Sequence, residues 1–265
     1  MPDELKRARG EILRLNSCRY FCGLDAEVVL QSEYNLTAKF GAYLCSEIGH
    51  IKHTPPKPTG MDGIVFKRGD EGASHSNLLG SSGPDDLTNS VNGYMDDSDA
   101  SNVSRVGHRR WCLNPALGAT GFGQVPGYSA MWSLDASNPA GKGEHIMSFP
   151  AGGFYPLVYW PGNAAWCISL DPKRFQVEAI AGIKVYLLGG TMRFPQDVQG
   201  LKELKLADVR VGREGMGIAQ CMIFRPEVAP SAVIVSASCS RSRVGAGPSS
   251  NPLSSFTDRR RPSSC

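Results

Sequence analysis

The pattern of apolar residues changes near Asp135, and this change constrains the fold more than any other feature of the sequence. Residues 4 to 15 and 26 to 48 carry apolar side chains at helical spacing, which predicts two helices. Gly49 and the two prolines of His53-Thr-Pro-Pro56 would end the second helix, because proline cannot continue one. After Asp135 the chain has short β-like segments between turn residues, at 165–170, 175–180, 183–188 and 219–224. Helices followed by strands predict an α+β fold.

Shorter elements are predicted between the second helix and Asp135. They are a strand at Gly63–Lys67, a helix from Pro84 to about Met95, a short helix from Val103 to Leu113, and a β-hairpin made of Thr120–Gln124 and Tyr128–Ser133. The helix start at Pro84 is favoured because proline suits the first turn and the two aspartates that follow complement the helix dipole.

Composition excludes several classes of protein. The formal charge of +3 comes largely from five arginines in the last 25 positions, so the rest is nearly neutral and nucleic-acid binding is not expected. The most apolar stretch, Ala179–Gly190, is interrupted by Lys184 and is too short to cross a membrane. The charged N-terminus does not have the apolar run of a signal peptide. The 8 cysteines contain no CxxC pair, which leaves buried thiols and disulfides both open.

Two of the five histidines lie where the neighbouring residues would fix the orientation of the ring. His53 precedes Thr-Pro-Pro at a helix exit, and His108 stands between a glycine and Arg109-Arg110-Trp111. A fixed imidazole suits a metal ligand or a general base, although a structural histidine explains the same pattern. His50, His75 and His145 have looser surroundings.

Five motifs follow one another along the first half of the chain. They are Asn16-x-x-Arg19, His53-Thr-Pro-Pro56, Ser76-Asn77-Leu78, Val106-Gly-His-Arg-Arg-Trp-Cys-Leu-Asn-Pro115 and Gly121-Phe-Gly123. Their order resembles the CAP superfamily of cysteine-rich secretory, antigen 5 and pathogenesis-related proteins, and most closely its microbial members. The resemblance covers about half of the chain and implies a three-layer αβα sandwich over residues 4–135. We expect a linker and an aromatic, proline- and glycine-rich packing block at 136–164, a small β-sandwich-like domain at 165–235, and a disordered Ser/Arg-rich tail at 236–265.

The resemblance also implies a cleft that holds two histidines and two glutamates. The histidines fall on His53 and His108, the first glutamate falls on Ser76, and the second falls on Asp97 or, as an alternative, Asp96. The expected cleft residues are His53, Ser76, Asn77, Asp97, His108 and Arg109. The expected metal ligands are His53 and His108, which would bind Zn²⁺ or another divalent ion weakly, because a strong zinc site needs more protein ligands. No cofactor is required.

The expected function is that of a non-enzymatic, secreted binding protein whose ligand is a lipid, sterol, peptide or glycan. One alternative is a metal-assisted hydrolase with His53 and His108 as ligands and Asp97 as base, or with Ser76 as nucleophile. Another is a structural surface or matrix component with a vestigial site.

Two further features each leave two interpretations open. Arg109 and Arg110 either face an anionic ligand or tie their loop to a helix by pairing with a carboxylate, of which Asp96, Asp97 and Asp99 are the candidates. The block that contains Trp160 and Trp166 either exposes an aromatic platform or packs between the domains.

Overall fold

The computed structural model describes residues 2–80, 90–142, 146–152, 155–172, 183–187, 199–227 and 237–238. Their combination of helices and sheets confirms the α+β class. The helices are α1 (Pro2–Phe21), α2 (Ser32–Ile48), α3 (Gly63–Ser74), α4 (Ser90–Asp96) and α5 (Gly107–Cys112). Short 3₁₀ turns lie at Pro139–Lys142 and Leu157–Tyr159. No helix in these ranges is both long and apolar enough to cross a membrane.

Twelve strands are present in the same ranges. They are β1 (Val29–Leu30), β2 (Ser76–Gly80), β3 (Ala119–Thr120), β4 (Phe122–Val125), β5 (Tyr128–Trp132), β6 (Ile146–Phe149), β7 (Trp166–Leu170), β8 (Lys184–Leu187), β9 (Lys202–Leu204), β10 (Leu206–Gly212), β11 (Gln220–Pro226) and β12 (Ala237–Ser238). β1 and β3 pair in parallel, and the other strands form antiparallel sheets in the orders β2-β5-β4, β10-β11-β7-β6 and β12-β8-β9.

The first helix is longer than its apolar spacing predicts. Asn16 does not end it, because its side chain bonds outside the helix, donating to Val28 O at 3.0 Å and accepting from Val28 N at 3.2 Å. The helix ends at Phe21, shortly before Gly23 turns the chain with a φ of 70°. The second helix starts at Ser32 rather than near residue 26, and ends where predicted, with Gly49 in the left-handed conformation at its C-cap.

The strand predicted at Gly63–Lys67 is wrong, since these residues begin α3. The Asp62 carboxylate caps this helix by accepting from Ile64 N at 2.8 Å and Val65 N at 3.1 Å. α3 packs on α2 at a pair of glycines. A Cβ on Gly72 would lie 2.0 Å from Thr37 O, and one on Gly41 would lie 2.5 Å from the Gly72 carbonyl carbon.

The predicted hairpin is confirmed as β4 and β5, joined through Gly127 with a φ of 82°. β2 adds to the other edge of β5, in a segment where no strand was predicted. Leu78 and Ala130 pack on Ala38, Ala42, Cys45 and Ala73 from α2 and α3. On the opposite face Met131 lies in one hydrophobic cluster with Tyr94 of α4 and Cys112 of α5. This small sheet therefore has helices on both faces.

The later helices and strands agree with the sequence in part. α4 begins at Ser90, and the predicted start at Pro84 lies outside the described residues. α5 is shorter than the predicted helix 103–113. The strands expected at 165–170, 183–188 and 219–224 are confirmed as β7, β8 and β11, whereas 175–180 lies outside the described residues.

The second half of the chain shares its core with the first. One cluster joins Leu15, Tyr94 and Leu113 to Phe149 and Ile223. Within the predicted linker, β6 pairs with β7 along its whole length. Residues Ile146–Phe149 are therefore part of a sheet, and the domain boundaries at 135 and 165 stay predictions. In the tail that we expected to be disordered, Ala237 and Ser238 form β12, and the rest lies outside the described residues.

Candidate functional site

His108 is held by a buried aspartate. Asp97 follows directly after α4, and its Oδ1 lies 2.7 Å from Nδ1 of His108 in the first turn of α5. The second oxygen of Asp97 accepts from Arg109 N at 3.0 Å. The Asp97 side chain is 1% exposed, while that of His108 is 20% exposed. Since a carboxylate only accepts, Nδ1 carries the proton, and Nε2 of His108 makes no hydrogen bond to any described residue.

The backbone around this pair is held in an uncommon conformation. Asp97 has a φ of 47° and Val106 a φ of 43°, both in the left-handed region, where a β-branched residue such as valine is rare. Such conformations persist only where surrounding bonds enforce them. Here the two bonds that Asp97 accepts and the bond from Val106 N to Asn102 O provide that support.

His53 is oriented in a similar way, but at the surface. It is exposed, and its Nδ1 lies 2.9 Å from the Ala73 carbonyl at the end of α3. A carbonyl can only accept, so Nδ1 again carries the proton and Nε2 is left without a partner among the described residues. Both predicted metal ligands thus have Nδ1 fixed by an acceptor and Nε2 without a partner among the described residues.

A single short segment connects the two histidines. Ala73 accepts from His53, and four residues later Asn77 donates through Nδ2 to the backbone oxygen of His108 at 3.0 Å. Asn77 is buried, so it positions α5 against β2 rather than lining an open cleft. Among the described residues, no group of three or more His, Cys, Asp or Glu side chains is arranged to hold a metal ion.

Ser76 lies between these two attachment points but does not have the partner that a nucleophile needs. It is buried, and its Oγ forms no hydrogen bond. It pairs across the sheet with Trp132, whose Nε1 is also without a hydrogen bond. The Trp132 ring is stacked between the rings of Tyr34 and His75, at centroid distances of 4.7 and 4.9 Å. No described histidine forms a hydrogen bond with Ser76, so the nucleophile assignment is not supported.

Arg109 is wholly buried and does not line a cleft, which corrects its expected role. Its guanidinium donates to the carbonyls of Met95 at 2.7 Å and Ala165 at 2.5 Å, and also to that of Asp96. It lies 4.3 Å from the Phe149 ring centroid. The expected pairing with a nearby carboxylate is therefore replaced by bonds to backbone oxygens.

Arg110 connects the site to the second half of the chain. Its guanidinium donates to the backbone oxygens of Glu214 at 2.7 Å and Ile218 at 3.0 Å, and lies 3.5 Å from the Glu214 carboxylate. That carboxylate is not one of the three that we expected. Neither arginine is placed to meet an anionic ligand.

The Asn16 and Arg19 motif also builds the scaffold. Arg19 is buried in α1 and donates to the backbone oxygens of Cys112, the last residue of α5, at 3.0 Å and of Asn114 at 2.8 Å. It therefore fixes the C-terminal end of the helix that carries His108. The sequence does not predict that the Ala73 carbonyl accepts from His53 or that Trp132 stacks on Tyr34 and His75, since neither contact depends on a local residue pattern.

The remaining features lie apart from the predicted site. A surface depression of about 590 Å³ is lined by residues of β9 and β10 with Ile183 and Glu227, and includes no predicted site residue. The aromatic block packs internally, with Trp160 stacked on Phe149 and in edge contact with Trp166. The six described cysteines, namely Cys18, Cys22, Cys45, Cys112, Cys167 and Cys221, are all buried free thiols.

Comparison of the chain with protein-family models, with curated proteins and with solved structures finds no match.

Proposed function

We propose that this protein is a non-enzymatic binding module of the CAP type that carries an exchangeable divalent-metal site at His53 and His108. The observation that carries the proposal is the contact of His108 Nδ1 with the buried Asp97 carboxylate, together with the bond that fixes His53 Nδ1 on the Ala73 carbonyl. Nε2 of each ring has no partner among the described residues. Histidines that bind metals in proteins typically donate their second nitrogen to a carboxylate or a backbone carbonyl. Asp97 and the Ala73 carbonyl supply these two kinds of acceptor.

The arrangement of the first half supports a CAP-like sandwich. Helices cover both faces of the sheet β2-β5-β4, and the motif residues that carry the resemblance hold these layers together. Arg19 joins α1 to the end of α5, Asn77 joins β2 to α5, and Arg109 joins α5 to α4. These residues hold helices and strands of the fold together, as expected of motif residues that are characteristic of a fold.

The hydrolase alternative is weaker because the groups it requires are already engaged. Both oxygens of Asp97 accept hydrogen bonds, from His108 and from Arg109 N, so this carboxylate orients a ligand rather than activating water. A catalytic zinc site typically has three protein ligands, and two histidines make a weaker, exchangeable site. The alternative of a structural component with a vestigial site predicts no metal binding.

The proposed setting is extracellular, as the resemblance implies, with a small apolar molecule, a peptide or a glycan as the organic ligand. Nucleic acid is not among the proposed partners, because the charge of the chain outside its last 25 positions is close to balanced. No cofactor other than Zn²⁺ or a similar divalent ion is proposed.

Zinc titration by calorimetry tests the metal site directly. We expect one Zn²⁺ to bind per wild-type chain, with an affinity that falls at least about tenfold in His53→Ala and in His108→Ala. His50→Ala is the matched control, because His50 is exposed and its Nδ1 lies 2.9 Å from the Ile48 carbonyl, much as His53 contacts Ala73. Equal binding by the wild type and both site variants would overturn the proposal.

A further inference from the structure

The outer face of α1 exposes large apolar side chains next to basic ones. Leu13 is 69% exposed and Tyr20 is 70% exposed, seven residues apart and therefore on one side of the helix. Lys6 and Arg9 are exposed on the same side, one to two turns before Leu13. The opposite side of the helix faces the core through Ala8, Leu15 and Cys18. The two faces are thus clearly separated. In the part of the chain that the structure describes, Leu13 belongs to no hydrophobic cluster, and the Tyr20 ring contacts the adjacent Phe21 ring.

A second exposed apolar pair adjoins this face. In the 3₁₀ turn Leu157–Tyr159, within the aromatic block, Leu157 is 65% exposed and Val158 is 75% exposed. Arg14 of α1 fixes the turn to the helix by donating to Val158 O at 2.9 Å and by lying 3.8 Å from the Tyr159 ring centroid. The Phe21 and Tyr159 rings pack 4.8 Å apart at the other end of the contact. The turn is therefore a fixed protrusion beside α1.

The charged side chains of this region indicate which kind of binding partner could cover it. The exposed side chains of α1 include Lys6, Arg7 and Arg9, and no described carboxylate forms an ion pair with any of them. Two exposed carboxylates lie in the first turn of α1: Glu4 is paired with Lys39 of α2 at 2.5 Å, and Asp3 forms no ion pair with a described residue. The three cations therefore exceed the carboxylates of this helix end that are free to offset them. The surface of an anionic lipid bilayer binds protein surfaces of this composition. Exposed aliphatic side chains enter the bilayer, tyrosine lies at the headgroup level, and unpaired basic side chains contact the anionic headgroups.

We propose that the outer face of α1 and the 157–158 turn together form a peripheral binding surface for anionic phospholipid bilayers. Leu13, Leu157 and Val158 enter the boundary between headgroups and acyl chains, and Tyr20 lies at the headgroup level. Lys6 and Arg9 contact the anionic headgroups. This surface shares no residue with His53 or His108, so it is independent of the proposed metal site.

Sedimentation of the full chain with lipid vesicles tests this surface. We expect binding to vesicles of phosphatidylcholine with about one third phosphatidylserine, and at least about tenfold weaker binding to phosphatidylcholine alone or at high salt. Leu157→Asp with Val158→Asp should lower the affinity at least about tenfold, and Lys6→Glu with Arg9→Glu should do the same. Ile64→Asp is the matched control, because Ile64 is 81% exposed on α3, outside this surface. It should bind as the wild type does.

Several results of this experiment would overturn the proposed membrane-binding surface. The substituted residues are exposed, and circular dichroism verifies that each variant is folded. Absence of binding by the wild type, or an equal loss in Ile64→Asp, overturns the proposal. Self-association is a further outcome that would overturn the proposal. If the wild type associates with itself without binding vesicles, and Leu157→Asp with Val158→Asp abolishes that association, the surface binds a second copy of the chain. Unchanged vesicle binding in His53→Ala with His108→Ala separates this surface from the metal site.

Discussion

Asp97 and His108 form the most tightly constrained polar contact of the site, with Oδ1 and Nδ1 2.7 Å apart and the other carboxylate oxygen bonded to Arg109 N. The contact fixes both the tautomer and the orientation of the imidazole, so that Nε2 points away from the support. If His108 binds a metal, Asp97 contributes without touching the ion.

Asp97→Asn tests that indirect role. The amide nitrogen of asparagine cannot accept a bond, so either His108 or Arg109 N loses its acceptor. We expect zinc affinity to fall about 10- to 100-fold while the folded state is kept. Calorimetric titration measures the change, with Asp99→Asn as the control, since Asp99 bonds only within its own turn to Ser101 and Asn102. Zinc binding by Asp97→Asn at wild-type affinity would contradict the role.

Gly72→Ala should destabilise the protein strongly, because the added Cβ would lie 2.0 Å from Thr37 O in the contact between α2 and α3. Backbone atoms cannot move aside as a flexible side chain can, so we expect a loss of about 2–3 kcal/mol. Gly10→Ala in α1 is the control, because nothing lies within 4 Å of its added Cβ. It should stabilise by roughly 0.5–1 kcal/mol. Urea denaturation of both variants measures the difference, and equal midpoints would refute the glycine contact.

Asp135 should make stability depend on pH. Burial raises its pKa, but bonds from the Ser137 hydroxyl and from the backbone of Gly118, Ala119 and Ser137 outweigh this and hold the pKa below its usual value of 3.8. A carboxyl whose pKa is lower in the folded state stabilises that state fully above pH 3.8 and loses the effect as pH falls through its folded pKa.

Comparison of Asp135→Asn with the wild type isolates this contribution. We expect the variant to be less stable by about 1–2 kcal/mol at neutral pH, and the difference to shrink as the pH is lowered below the usual pKa of the carboxyl. Urea midpoints of both proteins at several pH values give the result. If the difference in stability between the two proteins does not change with pH, the ionised Asp135 carboxyl stabilises the folded state no more than the protonated one does, and the prediction is wrong.

Arg109→Met should destabilise the protein by about 3 kcal/mol or more. The methionine fills much of the same volume but leaves the carbonyls of Met95, Asp96 and Ala165 without their donor in a buried place. Arg7→Met removes an equal charge from an exposed position and should change stability by less than about 0.5 kcal/mol. Thermal or urea denaturation compares the two, and similar effects would argue against a structural role for Arg109.

Cys167 should have a lowered pKa although it is buried. A hydrogen bond from the Cys221 thiol and the nearby Arg109 guanidinium, 3.8 Å from Sγ, outweigh burial and hold the pKa of Cys167 below its ordinary value of 9.0. We expect the ultraviolet absorbance of a thiolate in the folded protein to persist on acidification to a pH below that ordinary value. Cys167→Ser should remove it, and Cys45→Ser should not. A titration midpoint near the ordinary value of 9.0 would contradict the contact.

The sequence predicted those elements whose signals are local. The α2 end at Gly49, the hairpin around Gly127 and the strand β7 each depend on residues within a few positions of one another. The strand predicted at Gly63–Lys67 failed because Ile64 and Val65 favour strands. The Asp62 cap and the close approach of Gly41 to Gly72 select a helix there instead.

The candidate site shows the same limit. The resemblance singled out His53, His108 and Asp97, and the structure joins His108 to Asp97. The resemblance did not predict that Arg109 is buried, because this arginine bonds to Ala165, 56 positions later in the chain. Likewise the acceptor of His53 is a backbone oxygen, which every residue carries and no motif can mark.

The bonds from Arg110 to Glu214 and Ile218, and the core that Leu15 and Tyr94 share with Phe149 and Ile223, have a consequence for modularity. We therefore expect that the half of the chain that bears every recognisable motif does not fold when it is cut out after Asp135. The Arg110 guanidinium would lose its acceptors at Glu214 and Ile218, and the apolar residues of α4 and α5 that pack on Phe149 and Ile223 would be exposed to water. The later strands thus take part in holding α5, and with it His108, in place.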